Sequence, residues 1–267
     1  MRNDVQMQAP AGMSERSIDL NADMGESFGS WTMGQDEELM PHITSANIAC
    51  GAHAGDPTVM RATIKLAKKH RVQIGAHPGF PDLQGFGRRP VKMAPDEIEA
   101  YVLAQIGALW AIARSEGADL SHVKAHGALY NMAAQDRVVA LPIVRAVAHF
   151  SRDLYLYCLP GSKQEEVAHT HGIKTIAEGF VDRAYEPNGS LTDRRSAGAV
   201  VSDPAEAARH ALALANGSIT ARDGTTIKVQ VRTLCVHGDS PNAPQIARSA
   251  FAALLLAGFT VKAPSSA

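Results

Sequence analysis

Cysteine is scarce in this chain: three in 267 residues, at Cys50, Cys158 and Cys235. Scattered thiols make no disulfide framework, and no two are spaced as a C-x-x-C metal or redox motif. Free thiols fit a reducing compartment, so the chain is expected in the cytoplasm. Long apolar runs are missing as well. The stretch from Ala250 to Phe259 is far shorter than the roughly 20 residues that span a bilayer, so no membrane partner is expected. Residues Met1 to Arg16 lack the apolar core of a signal peptide and read as a disordered tail. Charge of one sign is absent: 26 basic against 27 acidic residues leave a net charge of -1, which argues against a nucleic-acid partner. There is no P-loop, and Gly85-Phe86-Gly87 does not continue into a dinucleotide fingerprint. The string Gly25-Glu26-Ser27-Phe28-Gly29 has the G-x-S-x-G spelling but is not read as a nucleophile elbow, and there is no H-E-x-x-H. Serine or cysteine nucleophile chemistry thus has no support, and Cys50, inside an apolar run, reads as core.

What remains is an ordinary soluble composition, 45% hydrophobic and 20% charged, at a length that can bury a sizeable core. Short apolar runs alternate with helical segments. The runs are Ser17–Leu20, Ser45–Cys50, Val72–Ala76, His122–Ala125, Leu154–Leu159, Ile173–Ala177 and Val231–Val236. Several look apolar through most of their length, which suits parallel strands covered on both faces. Between them lie helix signals: Asp56-Pro57, Ser162 with Glu165 and closing Gly172, Asp203-Pro204 with Glu206, and the amphipathic segment from Pro95 to about Glu116. Strands alternating with helices predict an α/β fold with a parallel sheet. About seven units over residues 17–267 point to a single distorted (β/α) barrel, with a doubly wound open sheet as the alternative.

The informative feature is placement. Nearly every run is followed by polar or glycine residues, and in a parallel barrel those carboxyl ends converge on one face. Asp23, Glu26, His126, His237 and Asp239 are the candidate catalytic groups, suited to general acid–base or metal-assisted hydrolysis. Asn21, Asn47, Lys124, Arg88 and Arg183 are candidates for holding a substrate or a phosphate. Lys124 stands out because a lysine in an apolar strand end needs a partner or an anion. Asp23, His53 and His77, with His126 in reach, form a candidate set for a divalent ion such as zinc. Asp56 reads as a helix cap, and Asp19 as a buried hydrogen-bonding group.

Five strings in this chain are long and uncommon: DLNADMGES (Asp19–Ser27), SANIACGAHAGD (Ser45–Asp56), IGAHPGFPDLQGFGRR (Ile74–Arg89), KAHGALYNM (Lys124–Met132) and LCVHGD (Leu234–Asp239). In these the chain, from about Ile18 to Gly258, resembles the LamB/YcsF family, the A subunits of 5-oxoprolinase. Two positions depart from the pattern: Ala22 stands where many members have cysteine, and Ala125 where proline is expected. The resemblance implies a distorted barrel like those of glycoside hydrolases and deacetylases. It implies ATP-driven hydrolytic opening of the lactam 5-oxo-L-proline to L-glutamate, in company with the B and C subunits of the same enzyme. A stand-alone metal-dependent deacetylase or amidohydrolase is the competing class, and a non-catalytic binding component of the complex is the third.

Overall fold

A computed structural model of the chain describes residues 16–240 and 242–264. The strands in chain order are β1 (Ser17–Met24), β2 (Ser45–Ala49), β3 (Gln73–His77), β4 (His122–Lys124), β5 (Tyr155–Cys158), β6 (Thr175–Phe180), β7 (Ser218–Thr220), β8 (Thr226–Lys228), β9 (Thr233–Val236) and β10 (Thr260–Val261). The helices are α1 (Asp36–Leu39), α2 (Pro57–His70), α3 (Pro95–Ser115), α4 (Gly127–Gln135), α5 (Arg137–Phe150), α6 (Lys163–Thr170), α7 (Pro204–Ala215) and α8 (Ala243–Leu256). Strands β1 to β6 and β9 pair in parallel, and β9 returns to β1, so seven strands close a barrel. The expected barrel is the one observed. The open sheet is excluded by the closing pairs Asp19↔Thr233 and Asn21↔Cys235. Strand β10 lies outside the ring, beside the start of β1, and β7–β8 form a separate hairpin. The predicted tail at residues 1–16 lies outside the described residues except for Arg16, whose carbonyl accepts a hydrogen bond from Thr260 N at 2.8 Å.

The helix starts follow their capping chemistry. Asp56 accepts from Thr58 N and Val59 N ahead of Pro57, and Asp203 accepts from Glu206 N ahead of Pro204. Asp136 does the same for α5, although neither α4 nor α5 is among the helices that the sequence signals mark. Ser162 accepts from Glu165 N, but Glu165 turns back to Gly161 N rather than to Ser162, so only half of the expected box forms. The helices cover the outside of the ring with Leu20, Ile48, Ile74, Val123, Leu156 and Leu234 beneath them.

The inside of the ring is different. The first strand continues past Leu20 to Met24 and alternates strictly, as Ile18-Asp19-Leu20-Asn21-Ala22-Asp23-Met24. Alternate side chains face opposite sides of a strand, so Asp19, Asn21 and Asp23 point into the barrel. The apolar reading of the strands therefore holds for one face only. The barrel is filled mainly with hydrogen-bonded polar side chains in tiers. Lowest, Asp19 accepts from Thr44, Ser45, Tyr157 and Thr233 hydroxyls. Above it, His122 Nε2 donates to Asn47 Oδ1 (2.8 Å), Asn47 Nδ2 donates to Asn21 Oδ1 (2.7 Å), and Asn21 Nδ2 donates to Thr233 Oγ1 (2.7 Å) and Glu178 Oε1 (3.0 Å). Burial, then the nearby charges of Lys124 and His77, push His122 down to about 3, so its ring is neutral and fits this directed chain.

Gly75 makes room for that chain: a Cβ there would lie 2.1 Å from His122 Nε2. We expect Gly75→Ala to destabilise the protein by about 1–3 kcal/mol, the usual cost of overpacking. Urea denaturation checks this, and an unchanged midpoint would contradict it.

Candidate active site

The uppermost tier opens at the carboxyl ends of the strands. Lys124, at the end of β4, is 2% exposed, and its ammonium lies 2.9 Å from Asp23 Oδ1, 3.0 Å from Glu178 Oε1 and 2.9 Å from Cys235 Sγ. Burial works against its charge, but Asp23, Cys235 and Glu178 outweigh burial and raise its pKa well above the lysine norm. Asp23 is fully buried too. Against that desolvation, His77 and Lys124 hold its carboxyl well below the usual range, so it is an anion. Asn47 Nδ2 donates to it at 2.9 Å.

Three histidines crowd beside Asp23. His53, from the loop after β2, stacks flat on His126, from the loop after β4, with centroids 3.7 Å apart. His77, at the end of β3, meets both edge-on. Glycine backbone forms the wall behind them: a Cβ at Gly79 would lie 2.7 Å from His53 Nδ1, and one at Gly87 would lie 2.8 Å from His126 Cδ2. His77 Nδ1 donates to Lys124 O at 2.7 Å, and His126 Nε2 donates to Phe86 O at 2.8 Å. The two rings also meet each other, Nε2 to Nδ1, at 3.0 Å. His77 Nε2 also lies 3.4 Å from Asp23 Oδ2.

Glu26, on the turn after β1, has its Oε1 3.7 Å from His53 Nε2 and 3.8 Å from His126 Nδ1. Burial, then the charges of Asp23 and Asp239, raises its pKa well above the glutamate norm. Burial and the charge on His77 keep His53 well below its norm. Glu26 Oε1 and both nitrogens of His53 are buried without a hydrogen-bond partner among the described residues. The ligand atoms of Glu26, His53, His77 and His126 all lie within 4.8 Å of one another. Such a set is able to hold a divalent ion. It keeps the three expected histidines and differs in its carboxylate: Glu26 stands in the set, while Asp23 Oδ1 meets Lys124 and Asn47.

Across the opening, His237 follows β9. Its Nδ1 faces Asp182 Oδ1 and Oδ2 at 2.9 and 3.0 Å, and its backbone N–H donates to the same carboxylate. That contact orients the ring, and His237 lines the inner cavity with Asp23, His77, Lys124 and His126. The cavity has a volume of about 30 Å³, room for one small group such as a water. Arg88 and Arg183 reach the same cavity. Asp239 does not stand free as a base: it is paired with Arg88 at 2.8 Å and Arg194 at 3.3 Å, which against burial hold it below its norm. Asn21 and Asn47 lie wholly buried beneath the cavity.

Sequence reasoning passes over Asp182, Glu178, Cys235 and Arg194 as site residues. Asp182 and Glu178 carry a signal, the same strand-end position as the histidines. Cys235 and Arg194 carry none. Cys50 is inert core as expected, its thiol pushed by burial up to about 12. Ala22, on the outer side of β1, could not present a thiol to the cavity in any case.

The profile of the LamB/YcsF family matches residues 18–267. The A subunit of 5-oxoprolinase from Symbiobacterium thermophilum is 53% identical over 252 residues, 94% of this chain and 97% of its own. The protein of the same name from Methylococcus capsulatus is 52% identical, over 93% and 96%. Among solved structures, the lactam utilization protein from Thermus thermophilus superposes with a TM-score of 0.87 at 47% identity, over 92% of this chain and 99% of that one. A putative cellobiose-phosphate cleavage protein from Enterococcus faecalis shares the fold at 13% identity, with a TM-score of 0.54 over 93% of this chain and 97% of that one.

Asp182 is held below its usual 3.8 in the folded state by His237, against burial. The unfolded chain therefore takes up the proton first as the pH falls. The stability Asp182 contributes is complete above that value and is lost below it. We expect Asp182→Asn to cost about 1–3 kcal/mol at pH 7, with a gap to the wild type that narrows at pH 3. Urea melts at the two pH values check this, and a gap of equal size at both would contradict it.

Proposed function

The chain belongs to the LamB/YcsF family, and from that premise we propose that it is the A subunit of a 5-oxoprolinase, opening 5-oxo-L-proline to L-glutamate in a reaction coupled to ATP. The observation that supports this most is an imidazole oriented by a buried carboxylate, His237 on Asp182, at the small inner cavity, with the carboxyl of Glu26, its pKa raised, beside the cavity-lining His126. Amide hydrolysis needs both: a base to take a proton from water and an acid to give one to the leaving nitrogen. The carbonyl oxygen takes the γ-phosphoryl group of ATP as ADP leaves. Water then adds to the ring carbon as His237 takes its proton. The C–N bond breaks, the nitrogen receives the proton of Glu26 and then that of the new hydroxyl, and an acyl phosphate is left, which a second water splits to the carboxylate and phosphate. His237 returns its proton to Glu26, and the fixed charge of Lys124 steadies the charge that develops on the tetrahedral adduct. Asn21 and Asn47, whose amides are spent inside the barrel, act by positioning Asp23 and Glu178.

A five-membered lactam is a stable amide, and ATP makes its opening favourable by activating the carbonyl oxygen. Partner chains, the B and C components that the family resemblance implies, share that task in this reading. The Glu26, His53, His77 and His126 set fits a divalent ion, because it gathers orphaned buried donors of the nitrogen and oxygen type that zinc or a similar metal prefers. Such an ion would act as a Lewis acid toward a carbonyl oxygen or acidify a bound water. The same cluster favours a second reading, an amide or ester hydrolase that works alone without ATP.

Three outcomes are expected. The purified chain, combined with its partner chains, releases glutamate from 5-oxoproline with ATP consumption; ATP-independent hydrolysis by the isolated chain would favour the second reading instead. His237→Gln lowers kcat by about 10²–10⁴-fold while leaving complex assembly intact; full turnover would remove His237 from the chemistry. Calorimetry with Mn²⁺ or Zn²⁺ shows one site whose binding releases protons and tightens with rising pH, and which Glu26→Gln weakens. Affinity independent of pH would rule the cluster out as the ligand set.

A further inference from the structure

A wide outer cavity of about 1380 Å³ adjoins the inner one. Arg88, Arg183 and Arg194 line both and so stand at the junction between them. Their charge is unbalanced. Arg88 and Arg194 share a single carboxylate, Asp239. Arg183 is 5% exposed, is held by the backbone carbonyls of Ala199 and Thr192, and pairs with no carboxylate among the described residues. With the Asp182 carboxylate acting on Arg183 and Arg194 through space, three guanidinium groups against two carboxylates leave one positive charge in excess. Burial, and after it the charge of Arg194, pulls Arg183 below the arginine norm, with Asp182 opposing and Arg88 adding to the shift, so the three are held together at a cost. Folding does not gather like charges around a cavity unless something else there is served by them. The first turn of α4, Gly127 with Ala128 behind it, borders the outer cavity and adds the positive end of a helix dipole.

We infer that Arg88, Arg183 and Arg194 form a subsite for a phosphoryl dianion, that of the ATP-activated substrate, which enters by the outer cavity and projects its reacting carbon into the inner one. This rests on the reaction proposed above and adds to it the place where the activated group is held. Three guanidinium groups converging on one junction offer more donors than a single carboxylate can use, and their forks suit the three oxygens of a phosphoryl group. The outer cavity is also far larger than a bare lactam needs.

The test is titration of inorganic phosphate into the full chain at low salt, without partners or turnover, so that its failure is separate from failure of the proposed reaction. Saturable binding is expected, weakened at least about tenfold in Arg194→Gln, with partial recovery in Arg194→Lys, which keeps charge but not the fork. Arg194 is partly exposed, so its variants should fold where Arg183→Gln does not; thermal melts confirm that they do. Wild-type affinity in Arg194→Gln would overturn the assignment. Acetate displacing phosphate as readily as sulfate does would make the subsite a carboxylate site and overturn it. Binding of ATP, but not of phosphate, would place a nucleotide there and overturn it as well.

Discussion

The ammonium of Lys124 is the centre on which the rest of the barrel is arranged. A charged lysine at 2% exposure is tolerable only if its surroundings replace water in full. Asp23, Glu178 and Cys235 do so directly. Those groups are in turn fixed: Asp23 by Asn47 and His77, Glu178 by Asn21. The chain of donors then runs down through Thr233 to Asp19 at the floor. Removing one member leaves its neighbours buried with unmet hydrogen bonds, and each such group costs about 1–3 kcal/mol. The polar filling is therefore cooperative, and it sets the position of Asp23 and His77 before any ligand arrives.

This arrangement gives the site groups different protonation states within a few ångströms. Asp23, close to the lysine and His77, stays ionised, while Glu26, facing two other carboxylates in a dry pocket, keeps its proton. Two carboxyl groups near one another in the chain thus take opposite roles through their surroundings alone. His53 and His126, pressed ring on ring, are kept from charging by burial, and among the described residues both nitrogens of His53 are without a hydrogen-bond partner and so open to a ligand.

The barrel and its working face are legible because strand ends followed by polar residues recur along the chain. The identity of individual roles is not. The strands read as apolar because their outward residues are, yet β1 carries a strict two-residue alternation whose polar half is the barrel interior. Lys124 stands out in the sequence as needing partners, but the partners come from β1, β6 and β9, and sequence spacing does not reveal which strand neighbours which. Asp239 reads as a free base because its two arginines lie 151 and 45 residues away. Arg194 sits in a long excursion after β6 where no periodicity marks it.

The tiers of side chains that fill the barrel also close its floor. Among the described residues nothing can pass through a cylinder packed from Asp19 upward, so the vessel's door lies at the strand ends. Whatever arrives, whatever leaves and any protein seated on that rim must share it. Traffic is then sequential: product has to clear the doorway before the next substrate enters, and a companion chain resting there would govern the order in which this happens.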